Sequence, residues 1–426
     1  MHHLKKGFWM VAAAVVSMLV LVGCGNGSSS SSGSGDKGSN VTLTVGFWKG
    51  DSATESQARK DEFKAFTKKT GIKIREKVYN DYNTQLMTDL VGGTAPDIFY
   101  VDSSTFPSLQ QKGVLESLDS YMKKDKFTSS DFYKPTYDAF KGTDGKQYGV
   151  PKDYSTLGLY YNEALLTKAG YKASDIPKTD TEFYKFLAQL KDKLPGVTPF
   201  VFSPLLARQM YIMQSTGAKI VDSKGNANLD DPKIISALEP MVDADKKGLM
   251  KTFKEIGYGA PQDAFGSGKV VFSDEGSWQV SGLQENFKSL KWGTTELPST
   301  NGKQANMVFT VSWSMNAQSK HKNESWQLIN FLTSKSEMAT YAKKASVLPT
   351  RKSVASELNL NDNKQMAPFV KAANYATPWI AGTNLALIQT RYENIFPSIL
   401  QGKVSLKTGL TEATQSANKD IKQQGN

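Results

Sequence analysis

Apolar and polar positions alternate from Val41 to Trp48 (VTLTVGFW), a β-branched stretch whose period predicts a half-buried strand. The period then lengthens. Glu55 to Thr70 carries Phe63 and Phe66 on one helical face, with Gly71 just past its end where a left-handed cap is expected. A second strand is predicted over Ile72 to Tyr79, a second helix over Tyr82 to Val91, and a short buried strand over Ile98 to Val101. Strands separated by helices indicate βαβ units and a mostly parallel sheet, whose ligands bind at the carboxyl ends of the strands. Trp48 and Asp102 fall at such ends. From Gly142 to Asn162 the pattern predicts a turn and two short extended segments interrupted by Pro151. Helices are expected over Thr181 to Leu194, Leu205 to Thr216 and Pro232 to Lys247, a hairpin over Ile220 to Leu229, and strands over Val270 to Ser273 and Val308 to Met315. After Glu324 the pattern is nearly all helical.

The segment before the first strand has a different character. Lys5 and Lys6 precede an apolar run from Phe8 to Val22, which is shorter than the roughly twenty residues that span a bilayer as a helix. It ends in Leu21-Val22-Gly23-Cys24, which resembles the bacterial lipobox, where the cysteine thiol receives a diacylglycerol and the chain is cut just before it. Gly25 to Asn40 holds seven serines and five glycines, a composition that cannot bury a core. The expectation is a signal peptide over 1–23 and a lipidated Cys24 with a flexible tether over 24–40, anchoring the folded part at the outer face of a cell membrane.

Composition then narrows the chemistry. The chain has 426 residues but only one cysteine and three histidines, His2, His3 and His321. These counts exclude an internal disulfide framework, a Cys/His zinc site and a Cys/His catalytic pair. The net charge of +11 is spread through pairs such as Lys68-Lys69 and Lys246-Lys247, so it reads as a solvated surface and not as a nucleic-acid footprint. No Gly-Lys pair is followed by Ser or Thr, so there is no phosphate-binding loop of the Walker type. A carboxylate pair for glycoside hydrolysis remains open among Asp102, Asp153 and Glu275.

Several segments carry a resemblance in a fixed order. They are Ala95-Pro96-Asp97-Ile98-Phe99-Tyr100-Val101-Asp102, Tyr148-Gly149-Val150-Pro151-Lys152-Asp153-Tyr154, Glu275-Gly276-Ser277-Trp278, Trp326 to Ser334, and Leu348-Pro349-Thr350-Arg351. Together with the lipobox, the chain resembles the maltose-binding-protein-like, sugar-specific solute-binding lipoproteins of bacterial ABC importers. That resemblance implies an α/β, two-lobed type II periplasmic-binding-protein fold with a helical C-terminal region. Lobe 1 would comprise 41–150 with about 305–350, and lobe 2 about 151–304 with about 351–426. It implies an oligosaccharide in the cleft, an ABC permease as partner, a lipid-anchored monomer on a Gram-positive cell, and no cofactor, metal or catalysis.

Within that family likeness, Trp278 matches the best-recognised sugar-stacking position. Trp48, Lys49 and Asp51 follow the first strand, where the family contacts ligand. Asp102, Asp153, Tyr154, Glu275, Trp313, Arg351 and Trp379 complete the expected ligand set, with Glu275 also placed to cap a helix and Arg351 to hold the hinge. Trp292 and Trp326 read as packing residues. A cell-surface glycoside hydrolase and a receptor for a non-sugar solute are the competing readings.

Overall fold

The computed structural model describes residues 41–49 and 53–424; the expected signal segment, Cys24, the Ser/Gly stretch and Asp51 lie outside the described residues. The strands are β1 (Thr42–Trp48), β2 (Lys73–Tyr79), β3 (Ile98–Asp102), β4 (Gly149–Asn162), β5 (Thr198–Phe202), β6 (Met250–Thr252), β7 (Val270–Gly276), β8 (Trp292–Thr295), β9 (Met307–Met315), β10 (Leu348–Pro349) and β11 (Thr377–Pro378). They join in the order β2-β1-β3-β9-β4-β7-β5-β6, with β8 and β10 pairing β4 and β11 pairing β9.

Parallel pairing dominates both ends of this order and antiparallel pairing its middle. β2, β1 and β3 are parallel neighbours, connected by the helices Ala53–Thr70 and Tyr82–Gly92. Such crossovers are what parallel strands require. At the other end β7, β5 and β6 are also parallel. β4 and β9 run antiparallel between them and divide their length: residues 149–156 of β4 pair with β9, and residues 157–161 pair with β7. The long strand β4 therefore belongs to both half-sheets.

Pro151 does not interrupt β4, contrary to the sequence expectation. The register with β9 shifts between Pro151 and Asp153, which makes Lys152 an extra, bulged residue. A bulge accommodates a proline that cannot donate to the ladder, and it re-aims the neighbouring side chain. The Pro151 carbonyl accepts from the Thr350 hydroxyl at 2.7 Å, so the strand keeps a partner there.

Each half-sheet packs its own core. Leu43, Val45 and Phe47 of β1 meet Phe63 and Phe66 of the following helix, while Tyr79, Leu86 and Phe99 build a second apolar layer beside it. On the other side Phe183, Phe186, Phe200 and Phe272 form a core that the C-terminal helices Leu385–Leu400 and Leu406–Gln424 cover with Tyr392, Phe396 and Leu410. The expected cap holds: Gly71 has φ 74° and its amide reaches the Thr67 carbonyl at 2.8 Å. The expected hairpin at 220–229 is only a turn with a single bridge, Val221 to Ala227.

Gly158, in the half of β4 that pairs with β7, is pressed by Phe369: a Cβ there would fall 2.5 Å from the ring. The ring is fully buried and has no room to retreat. Gly158→Ala is expected to destabilise the fold by about 1–3 kcal/mol through overpacking, read as a lowered midpoint in chemical denaturation.

Candidate functional site

The carboxyl ends of β1 and β3, the bulged part of β4 and the start of the helix Trp278–Asn286 converge on one cleft of about 670 Å³. Of the expected ligand residues, Trp48, Asp102, Asp153, Tyr154, Trp278 and Trp379 line it.

The wall from β1 and β3 is aromatic with one acid. Trp48 meets Tyr82 edge-on at 5.4 Å and Tyr100 at 4.9 Å. The Tyr82 hydroxyl donates to the Tyr100 backbone carbonyl at 2.5 Å, which fixes the Tyr82 ring. Asp102 ends β3, and its Oδ1 accepts from the Ser104 amide at 2.8 Å and hydroxyl at 2.5 Å. Burial raises the Asp102 carboxyl above its ordinary range, and these bonds from Ser104 oppose the rise.

The floor is a buried charge cluster built on the bulge. The Lys152 ammonium, 6% exposed, contacts the Asp153 carboxylate, Glu55 Oε1 at 3.3 Å and the Tyr341 hydroxyl at 3.3 Å. Tyr341 in turn donates to Glu55 at 2.9 Å. Burial alone would push the Glu55 carboxyl up, but Lys152 and Tyr341 hold it below the ordinary carboxylate range. Burial likewise opposes the Lys152 charge, but Asp153, Tyr100, Tyr341 and Glu55 together outweigh it and raise the ammonium well above its usual value. Glu55 and Lys152 are therefore held in their charged forms, with two carboxylates around one ammonium.

The opposite wall presents Trp278. Its ring is 44% exposed, an unusual state for so large an apolar side chain. It is nonetheless held: its indole N–H donates to Glu275 Oε2 at 3.1 Å, Phe309 meets it edge-on at 5.6 Å, and the Arg208 guanidinium lies 4.8 Å from its centroid. The benzo half rests on Gly276, where a Cβ would fall 2.2–2.4 Å from three of its carbons, so only glycine fits. A second link joins this wall to β4, because the Ser277 amide donates to the Ser155 hydroxyl at 2.8 Å.

Four expected residues stand elsewhere or outside the lining. Lys49 is exposed and does not line the cleft. Glu275 is 2% exposed and lies behind the wall, where it accepts from Ser203, Arg208, Trp278 and its neighbour's amide. It thus orients cleft residues without lining the cleft, and it does not cap the helix after it, which begins at Trp278 with Ser277 in the N-cap position. Trp313 shares its strand face with Phe309 and Val311 by alternation but sits further along β9, packed between Tyr100 at 4.5 Å and Phe63 at 6.2 Å. Arg351 is tied to the Thr333 carbonyl at 2.7 Å and to Asp131 at 3.3 Å, with Phe132 under its guanidinium at 4.2 Å. These contacts fasten the chain next to β10. Trp292 and Trp326 are buried, as expected for packing residues.

Sequence reasoning missed Arg208, Phe309, Tyr82, Lys152 and Glu55. Glu55 and Arg208 carry no local pattern that marks them; they reach the cleft because the fold brings two helix ends to it. Lys152 had a signal in the proline beside it, since a proline within a strand points to a bulge.

The sequence profile of the bacterial extracellular solute-binding proteins matches residues 62–368. The chain belongs to that family. Among curated relatives, this solute-binding protein is 25% identical over 402 residues to the galactooligosaccharide-binding protein of Bacillus subtilis, covering 91% of this chain and 90% of that one. Among solved structures, it superposes with TM-score 0.79 on an ABC substrate-binding protein of Listeria monocytogenes in complex with cycloalternan, at 23% identity, covering 90% of this chain and 99% of that one. The GacH receptor of Streptomyces glaucescens, solved unliganded and with acarbose, gives TM-score 0.76 at 22% identity, over 90% and 100% of the two chains. These neighbours place the solute-binding protein in the two-lobed type II fold.

Glu275 holds Arg208 and Trp278 together from a site that excludes water. Removing it leaves the largely desolvated Arg208 guanidinium without its carboxylate. Glu275→Ala is expected to lower stability by about 3–5 kcal/mol and to change the emission of Trp278, measured by denaturation followed through tryptophan fluorescence.

Proposed function

We propose that the protein is an extracellular receptor that captures an oligosaccharide in this cleft and delivers it to the membrane subunits of an ABC importer. The single observation that carries the reading is Trp278, a half-exposed ring braced from several sides in a cleft of aromatic and charged residues. Sugar faces carry C–H groups that pack on such rings, and their hydroxyls need the donors and acceptors that Asp102, Lys152, Asp153 and Arg208 supply. The relatives' names agree with this class, including galactooligosaccharide and maltodextrin binders.

In this reading the lobes, 41–150 with about 305–350 and about 151–304 with about 351–426, close on the sugar by bending where β4 and β9 cross between them. Trp48 and Asp102 engage the ligand from one side and Trp278 and Trp379 from the other, with Asp153 and Tyr154 at the crossing. The protein acts as a monomer and performs no chemistry on the sugar. Two of the acids that a hydrolase would use are already engaged, Asp153 by Lys152 and Glu275 by Arg208. Lipidation of Cys24 and the tether that follows keep the receptor at the outer face of a Gram-positive membrane.

Two experiments test this reading. Incubated with a panel of oligosaccharides, the protein is expected to gain about 2.7 kcal/mol at a hundredfold excess over Kd, seen as a raised melting temperature, with the sugar recovered intact. Release of shortened sugar refutes the receptor role. Trp278→Ala is expected to weaken binding roughly thirtyfold or more with little change in melting temperature, since truncating a central aromatic anchor costs about 2 kcal/mol or above. Separately, Cys24→Ser is expected to shift the protein from the membrane fraction to the medium, scored by fractionation of expressing cells.

A further inference from the structure

The charge of the cleft runs opposite to that of the chain. The sequence carries a formal +11, yet the ionisable acids and bases lining the cleft are Glu55, Asp102, Asp153, Lys152 and Arg208. Both cations are already matched within the protein: Lys152 by Glu55 and Asp153, and Arg208 by Glu275 behind the wall. Asp102 differs. Its Oδ1 is held by Ser104, its Oδ2 takes no hydrogen bond from the described residues, and no lysine or arginine among them acts on its carboxyl. Lys49, past the end of the neighbouring strand β1, is exposed and off the lining.

A carboxylate in this position attracts donors and, above all, a cation. Trp48 and Tyr82 stand on the same wall, and aromatic faces favour cations for the same electrostatic reason. A protonated amino group would find both. An anionic substituent would meet Asp102 with no unpaired cation among the described lining residues to receive it, and like charges brought together in a partly desolvated site reject a ligand strongly.

We propose that this wall sorts sugars by charge, with Asp102 as the deciding residue: amino-bearing sugars bind best, neutral ones next, and uronates, sulfated and phosphorylated sugars are rejected. The proposal rests on the sugar-receptor reading and names the substrate class for it. Discrimination arises from a carboxylate that no lysine or arginine among the described residues pairs with, so it is separable from stacking on Trp278.

The test titrates tryptophan fluorescence of the wild-type protein and of Asp102→Asn with glucosamine oligomers, their N-acetylated counterparts, oligogalacturonates, and neutral malto- and galacto-oligosaccharides, at low and high salt. For the wild type the expected order is amino above neutral above carboxylate, spanning roughly tenfold or more, as charge-assisted hydrogen bonds allow. Asp102→Asn is expected to compress that span from both ends, judged relative to the variant's own affinity for neutral sugars, because the amide carries no charge. High salt should compress the wild-type span in the same direction, which decides the matter even if the variant does not fold. A uronate that binds the wild type as tightly as its neutral counterpart overturns the proposal, as does an order unchanged in Asp102→Asn. Absence of any response to sugars of every charge is a different result and overturns the sugar-receptor reading itself.

Discussion

The structure depends on the antiparallel pairing of β4 with β9. These strands are buried along most of their length, and each pairs with partners from more than one side: β4 with β9, β7, β8 and β10, and β9 with β3, β4 and β11. A sheet ladder fixes spacing and register because each backbone donor and acceptor must find a partner once water is excluded. Both parallel half-sheets are thereby tied to a common pair of strands. The cleft is the space left where the half-sheets diverge from it.

That constraint also explains why the chemistry of the cleft is concentrated near one irregularity. The register shift at Pro151 leaves Lys152 outside the regular ladder, among Glu55, Asp153 and Tyr341. These groups come from a helix near the start of the folded chain, from the central strand and from the helix Lys335–Ala345. Burying such a cluster is tolerable only when its charges are matched and hydrogen-bonded. Pairing has a functional side effect: Glu55 and Asp153 share the Lys152 ammonium, whereas Asp102 has no lysine or arginine beside it among the described residues.

The Trp278 wall follows a similar logic of restraint. An exposed indole on a loop would sample many orientations and bind weakly, since ordering it would oppose association. Here the N–H bond to Glu275, the edge contact with Phe309, the guanidinium of Arg208 and the close seat on Gly276 remove that freedom beforehand. Glu275 is the common partner of two of these restraints, and so it matters to the site although it does not line the cleft. Membership of the extracellular solute-binding family accords with a site built for recognition, in which polar groups are positioned by partners of their own.

The sequence by itself determined the elements and the family. Its alternation marked β1, β2 and β3 to within a residue or two, Gly71 marked a helix end, and the ordered segments around Asp102, Asp153 and Trp278 marked both the family and three residues of the cleft lining. These features were legible because period, capping and short motifs are local properties of a chain. Only the tertiary structure decided which polar residues face the cleft and which are committed elsewhere. Trp313 and Arg351 have the same residue types as binding groups, yet Phe63 and Tyr100 enclose the first, while Asp131 and Thr333 engage the second. Arg208 and Glu55 enter the site from helices far apart in sequence, and a strand running through a proline brings Lys152 to Glu55. Burial and partnering depend on neighbours brought together from distant parts of the chain, and no local pattern records them.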